Sequence, residues 1–127
     1  MADDLRLGSA KLVAFVATCD LARAGAFYGD VLGLGELDSS PFARVFDAAG
    51  TVVRVTLVSG HVPVAQTVLG WPVPDIEAAL DGLARRGVEA VRYDGMEQDE
   101  RGIWTAPGST RVAWFRDPDG NTLSLSQ

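Results

Sequence analysis

The chain has one cysteine and one histidine, and both scarcities narrow its chemistry. A lone Cys19 cannot close an internal disulfide, so the fold relies on packing and suits a reducing compartment, here read as the cytoplasm. A lone His61 excludes a His-rich metal centre, and it has no evident partner for general base work. It lies in the Gly60-His61-Val62-Pro63 stretch, which reads as a solvent-exposed linker. Positive charge is in deficit: 11 Lys and Arg stand against 17 Asp and Glu, a formal charge of -6. That balance argues against nucleic acid and anionic membrane surfaces as partners. No apolar run approaches a membrane span. Met1-Ala2-Asp3-Asp4 lacks the basic start and apolar core of a secretory leader. Gly-rich phosphate loops, nucleophile elbows and Cys/His clusters are also missing. What remains, at 127 residues and 47% hydrophobic content, fits one globular domain over 1–127.

The chain says nearly the same thing twice. Asp47-Ala48-Ala49-Gly50 and Asp117-Pro118-Asp119-Gly120 are turns with Gly where a positive φ is cheap, each followed by an alternating strand. Asp20 and Asp75 each open an amphipathic segment as a helix N-cap. The first helix carries Leu21, Ala24, Phe27, Tyr28, Val31 and Leu32 on one side and stops near Gly33 and Gly35. The second carries Ile76, Ala79, Leu80, Leu83 and Ala84 and stops at Gly87. Strands are expected at 12–18, 42–46, 52–58, 67–73, 111–116 and 122–126, with a further one at 88–93. The two modules run from about 11 to 59 and from about 66 to 127. Spacing locates an insertion: 55 residues separate Asp20 from Asp75, but 70 separate Gly50 from Gly120. The extra length falls in the second module, around Tyr93, Asp94, Glu97, Asp99, Glu100 and Trp104. Inserted loops on a repeated scaffold often carry specificity.

Several residues invite a functional and a structural reading side by side. Strand alternation places Val52, Arg54, Thr56 and Val58 on one side and Val53, Val55 and Leu57 on the other. A buried Arg54 needs an anion or carbonyl from a ligand, or an internal acid such as Asp94 or Glu97. Thr122, Ser124 and Ser126 present hydroxyls opposite the core side chains Leu123 and Leu125. Trp104 is placed to stack on a ligand, Trp71 to pack in the core, and Trp114 is ambiguous. The acids of the insertion are read as a solvated run, and Cys19 as a small, partly buried, inert residue.

Asp20-Leu21, Ala26-Phe27-Tyr28, Val31-Leu32-Gly33 and the closing Phe115-Arg116-Asp117-Pro118-Asp119-Gly120-Asn121 together resemble the vicinal oxygen chelate superfamily of glyoxalases, bleomycin-resistance proteins and extradiol dioxygenases. The resemblance covers about 12–127. It implies an α+β fold of two βαβββ modules, a curved mixed sheet around a cup, and commonly a homodimer. It also implies four metal-ligand positions, which in this chain are Val13, Arg54, Val68 and Ser124. None is a usual ligand for a divalent metal, and Arg54 brings a fixed cation. The expected function is therefore metal-independent small-molecule binding, without a cofactor, as in antibiotic-sequestering members. The candidate ligand-binding residues are Arg54, Thr56, Tyr93, Glu97, Trp104, Thr122 and Ser124. The rival expectation is a lyase, isomerase or dioxygenase-like enzyme with an atypical or metal-free site. Arg54 would then stabilise an oxyanion, with Glu97 or Tyr93 transferring protons. A third reading is a regulatory domain with a vestigial cup.

Overall fold

A computed structural model describes residues 5–127, so the acidic Met1–Asp4 stretch lies outside the described residues. The chain divides into two compact units, 1–60 and 61–127. The first contains β1 (Val13–Thr18), α1 (Leu21–Gly25), β2 (Gly35–Ser39), β3 (Ala43–Ala48) and β4 (Thr51–Leu57). The second contains β5 (Thr67–Pro72), α2 (Ile76–Arg85), β6 (Trp104–Thr105), β7 (Arg111–Arg116) and β8 (Thr122–Ser126). Each forms a four-stranded mixed sheet, in the orders β1-β4-β3-β2 and β5-β8-β7-β6. The repeat read from the sequence is thus a repeat of topology: in each unit the first strand lies parallel to the last. Among the described residues no helix is long and apolar enough to cross a membrane.

The two helix starts are near copies. Asp20 and Asp75 sit in extended backbone, and each accepts a hydrogen bond at 3.0 Å from the backbone N–H three residues on, Arg23 and Ala78. Such a cap satisfies a donor that the helix itself cannot. The two turns are also related. The Asp47 carboxylate accepts from Gly50 N–H at 2.9 Å, and Asp117 accepts from the N–H groups of Asp119 and Asn121. Gly50 and Gly120 adopt φ of +94° and +85°, which a side chain would strain.

In the first unit the core joins Ala24, Phe27 and Tyr28 to Phe46, Val53, Val55 and Val16. After α1 the helix widens into a π-helical turn, Ala26–Val31, where Leu32 N–H reaches the Phe27 carbonyl five residues back. That turn buries two adjacent rings, Phe27 and Tyr28, edge to face at 5.2 Å. Arg44 ties β3 to β2 and α1. Its Nη2 donates to Glu36 Oε1 at 2.8 Å, its Nε to Oε2, and its Nη1 to the Leu21 carbonyl. The hydrogen bond holds the Glu36 carboxyl below the usual carboxylate range and raises Arg44. A Cβ at Gly25 would meet the Arg44 guanidinium, which would have to shift from this position. In the second unit Ile76, Leu80 and Leu83 of α2 are buried, as are Ala113, Phe115, Leu123 and Leu125 of the sheet.

Four local expectations are corrected. Residues 88–93 form no strand; Val88 N–H bonds the Leu83 carbonyl, Val91 N–H the Trp114 carbonyl, and the Gln98 side chain takes the Val91 carbonyl and Tyr93 N–H. The short β6 takes the edge position instead. β2 forms where the sequence signals only a helix stop, because Gly35 starts a strand paired to β3 across a bulge between Glu36 and Asp38. His61 is half-buried rather than a free linker residue, as its Nε2 lies 2.8 Å from Asn121 Oδ1. Cys19 is exposed rather than partly buried.

Candidate functional site

The sheet of the second unit has one face against α2 and one facing away. Register assigns the side chains. Phe115 pairs with Leu123 and Ala113 with Leu125 on the helix side, whereas Trp114 pairs with Ser124 and Arg116 with Thr122 on the other. Trp104 pairs with Val112, two residues before Trp114, and so shares that outer face. The Trp104 and Trp114 rings lie 6.1 Å apart, tilted by 35°. Tyr93, from the insertion, meets Trp114 edge to face at 5.5 Å. All three rings are only half-buried, so they remain open to a ligand. Beside them Ser124 pairs across to Gly70 of β5. A Cβ at Gly70 would stand 2.6 Å from Ser124 Oγ, so glycine keeps the surface above that hydroxyl clear. The result is an aromatic wall next to an accessible hydroxyl, suited to holding a flat apolar group by stacking with one polar contact.

The insertion that delivers Tyr93 is held by Gln98. Its Oε1 accepts from Tyr93 N–H at 2.8 Å, and its Nε2 donates to the carbonyls of Val91 and Gly102 at 2.9 and 2.8 Å. Asp99 accepts from the N–H groups of Arg101 and Ile103 and so closes a turn. Glu97 is exposed on the insertion, and among the described residues no bond or ring contact ties it to the three aromatics.

Arg54 and Thr56 belong to the first unit, on the sheet face opposite Val53 and Val55. Arg54 stands in a row with Phe15 of β1 and Val45 of β3. It is half-buried, and within its own unit its guanidinium makes no hydrogen bond or ion pair with a described residue. Thr56 Oγ1 is buried without a hydrogen-bond partner among the described residues, an unusual state for a hydroxyl. Trp71 pairs with Leu125 on the helix side, in keeping with a packing role.

A family model for the Glyoxalase/Bleomycin resistance protein/Dioxygenase superfamily matches residues 11–125. The chain belongs to this superfamily. Solved structures share its fold. Lactoylglutathione lyase from Agrobacterium tumefaciens is 16% identical with a TM-score of 0.72, covering 93% of this chain and 92% of that one. A superfamily member from Sphaerobacter thermophilus DSM 20745 is 22% identical with a TM-score of 0.71, covering 93% and 96%. TnmS3, an antibiotic binding protein from Streptomyces sp. CB03234, is 25% identical with a TM-score of 0.68, covering 94% and 95%. A glutamyl-tRNA(Gln) amidotransferase polypeptide of Caulobacter sp. (strain K31) is 31% identical over 97 residues, 67% of this chain. The chain spans only 19% of that protein's length.

The metal positions implied by superfamily resemblance fall on Val13 and Arg54 of the first sheet and Val68 and Ser124 of the second. Two valines offer no lone pair, arginine repels a cation, and a lone serine hydroxyl is a weak donor. These residues do not fit a divalent metal. Among the described residues no group of three or more His, Cys, Asp or Glu is arranged to hold one.

Proposed function

We propose that this protein is a single-domain, metal-independent small-molecule binder of the glyoxalase/bleomycin-resistance type, sequestering an antibiotic or metabolite that carries a flat apolar ring system. The same reading includes a homodimer in the cytoplasm. The observation that carries it is the grouping of Tyr93, Trp104 and Trp114 on the Ser124 face of the second unit. Stacking supplies affinity without a reactive group, which is all that sequestration needs. The antibiotic-binding TnmS3 shows that this fold can serve binding, and the donor set at the four metal positions favours binding without metal.

Quenching of tryptophan fluorescence by a panel of planar aromatic compounds tests the reading. Saturable quenching should survive a chelator, and elemental analysis after metal supplementation should find no stoichiometric metal. Trp114→Ala should weaken the best compound by about 1–3 kcal/mol, the scale of a lost aromatic contact. Binding that requires zinc, iron, nickel or manganese, or that ignores both Trp104→Ala and Trp114→Ala, would refute it.

A further inference from the structure

The face that carries Trp114 continues to a residue the aromatic reading leaves unused. Arg116 lies two residues farther along β7, about 7 Å on, and points to the same side. Its side chain is exposed, and among the described residues its guanidinium makes no hydrogen bond or ion pair. Directly across the hairpin is Thr122, whose residue is only 3% exposed. Its hydroxyl has no hydrogen bond among the described residues. Both side chains line a hollow of about 300 Å³, together with Pro63, Val64, Ala65 and Gly120.

The apolar wall of that hollow is held in place. Asn121 Nδ2 donates to Asp117 Oδ2 at 2.8 Å, which turns Asn121 Oδ1 toward His61. His61 then donates from Nε2, which ties this end of the 61–65 stretch to the turn. Pro63 Cγ stands 3.1 Å from where a Cβ at Gly120 would be, so a side chain there would push Pro63 back by a few tenths of an ångström. The hollow therefore has an apolar wall tethered at His61, a free guanidinium and a sunken free hydroxyl. A guanidinium with a neighbouring hydroxyl donor is matched to a carboxylate or a similar oxyanion.

We infer that Arg116 and Thr122 form an anion subsite continuous with the aromatic wall, and that the ligand is a planar aromatic compound bearing a carboxylate or like anionic group. This rests on the binding reading above and adds the charged end of the ligand. Arg116 fixes the anion by a charge-assisted pair of hydrogen bonds, Thr122 donates a further one, and the ring system extends over Trp114 toward Trp104 and Tyr93. The net negative charge of the chain disfavours anions at long range, so discrimination falls to this local pair.

Isothermal titration calorimetry of the full chain with 2-naphthoate, and with its uncharged counterpart 2-naphthalenemethanol, tests the inference. The expected result is saturable binding of 2-naphthoate, weakened roughly ten-fold or more by Arg116→Met and partly recovered in Arg116→Lys. Thr122→Val should weaken it several-fold, and 2-naphthalenemethanol should bind wild type and Arg116→Met alike. Thermal unfolding of each variant confirms that the comparison is between folded proteins. If Arg116→Met binds 2-naphthoate as tightly as wild type while Trp114→Ala loses it, the anion subsite is overturned and the aromatic reading stands. If Arg116→Met loses it while the tryptophan variants do not, the subsite stands and the aromatic reading falls. Failure of 2-naphthoate to bind at millimolar concentration overturns the inference.

Discussion

A guanidinium between two apolar neighbours is an uneasy placement, and Arg54 occupies one between Phe15 and Val45. Alternation along β4 is enough to predict which face it takes, since Val53 and Val55 claim the core. Whether it has a partner is not legible in the sequence, because pairing depends on three-dimensional neighbours that spacing does not encode. Arg54→Met keeps most of the side-chain volume and removes the charge. Urea unfolding of the free protein should show stability unchanged or higher by up to about 1 kcal/mol, as an uncompensated half-buried cation is unfavourable. Affinity for a ligand with an anionic or carbonyl group should fall by about 1.5–3 kcal/mol if Arg54 contacts it. A loss of several kcal/mol in the ligand-free protein would make Arg54 half of a structural ion pair instead.

At the scale of elements, repetition makes the sequence readable. Asp20 and Asp75 mark helix starts by the same side-chain bond, and Gly50 and Gly120 mark hairpin turns by the same positive φ. Those signals are local, so they survive without an alignment. β2 and the 88–93 segment are not readable for the opposite reason. β2 is short and bulged, with every residue exposed, and so carries no burial alternation. Residues 88–93 have apolar, strand-like composition, but much of their backbone bonding is taken by the Gln98 side chain. Of the aromatic wall, Trp104 and Tyr93 can be nominated from the insertion, but Trp114 depends on the register that pairs it with Ser124. The insertion's dependence on one side chain yields a prediction. Gln98→Ala strips partners from Tyr93 N–H and from the Val91 and Gly102 carbonyls. It should lower stability by about 3 kcal/mol, since each of the three unsatisfied, partly buried groups carries roughly 1 kcal/mol. Faster amide exchange should be confined to the insertion. Ring quenching at Trp114 should weaken as Tyr93 loses its position, whereas an unchanged unfolding curve would show that the three bonds are dispensable.

For the molecule as a whole, apolar surface bears on assembly. β1 is a terminal strand of its sheet, and Val13 and Phe15 on it and Leu12 just before it are exposed, Phe15 at 67%. Terminal strands and exposed aromatic side chains favour association unless something covers them. A second copy of the chain is the covering that the proposed homodimer supplies, and a stable pair buries about 1,200–2,000 Å² in total. Light scattering at micromolar concentration should then report about twice the 13.4 kDa chain mass. Phe15 is exposed within the chain and is no part of either unit's buried core. Phe15→Asp should therefore leave the circular dichroism spectrum intact while shifting the measured mass toward a single chain, because an unpaired carboxylate in an apolar interface opposes burial. A wild-type protein that stays monomeric at that concentration would rule the dimer out. A Phe15→Asp variant that remains dimeric would place the interface on another surface and leave the β1 strip exposed.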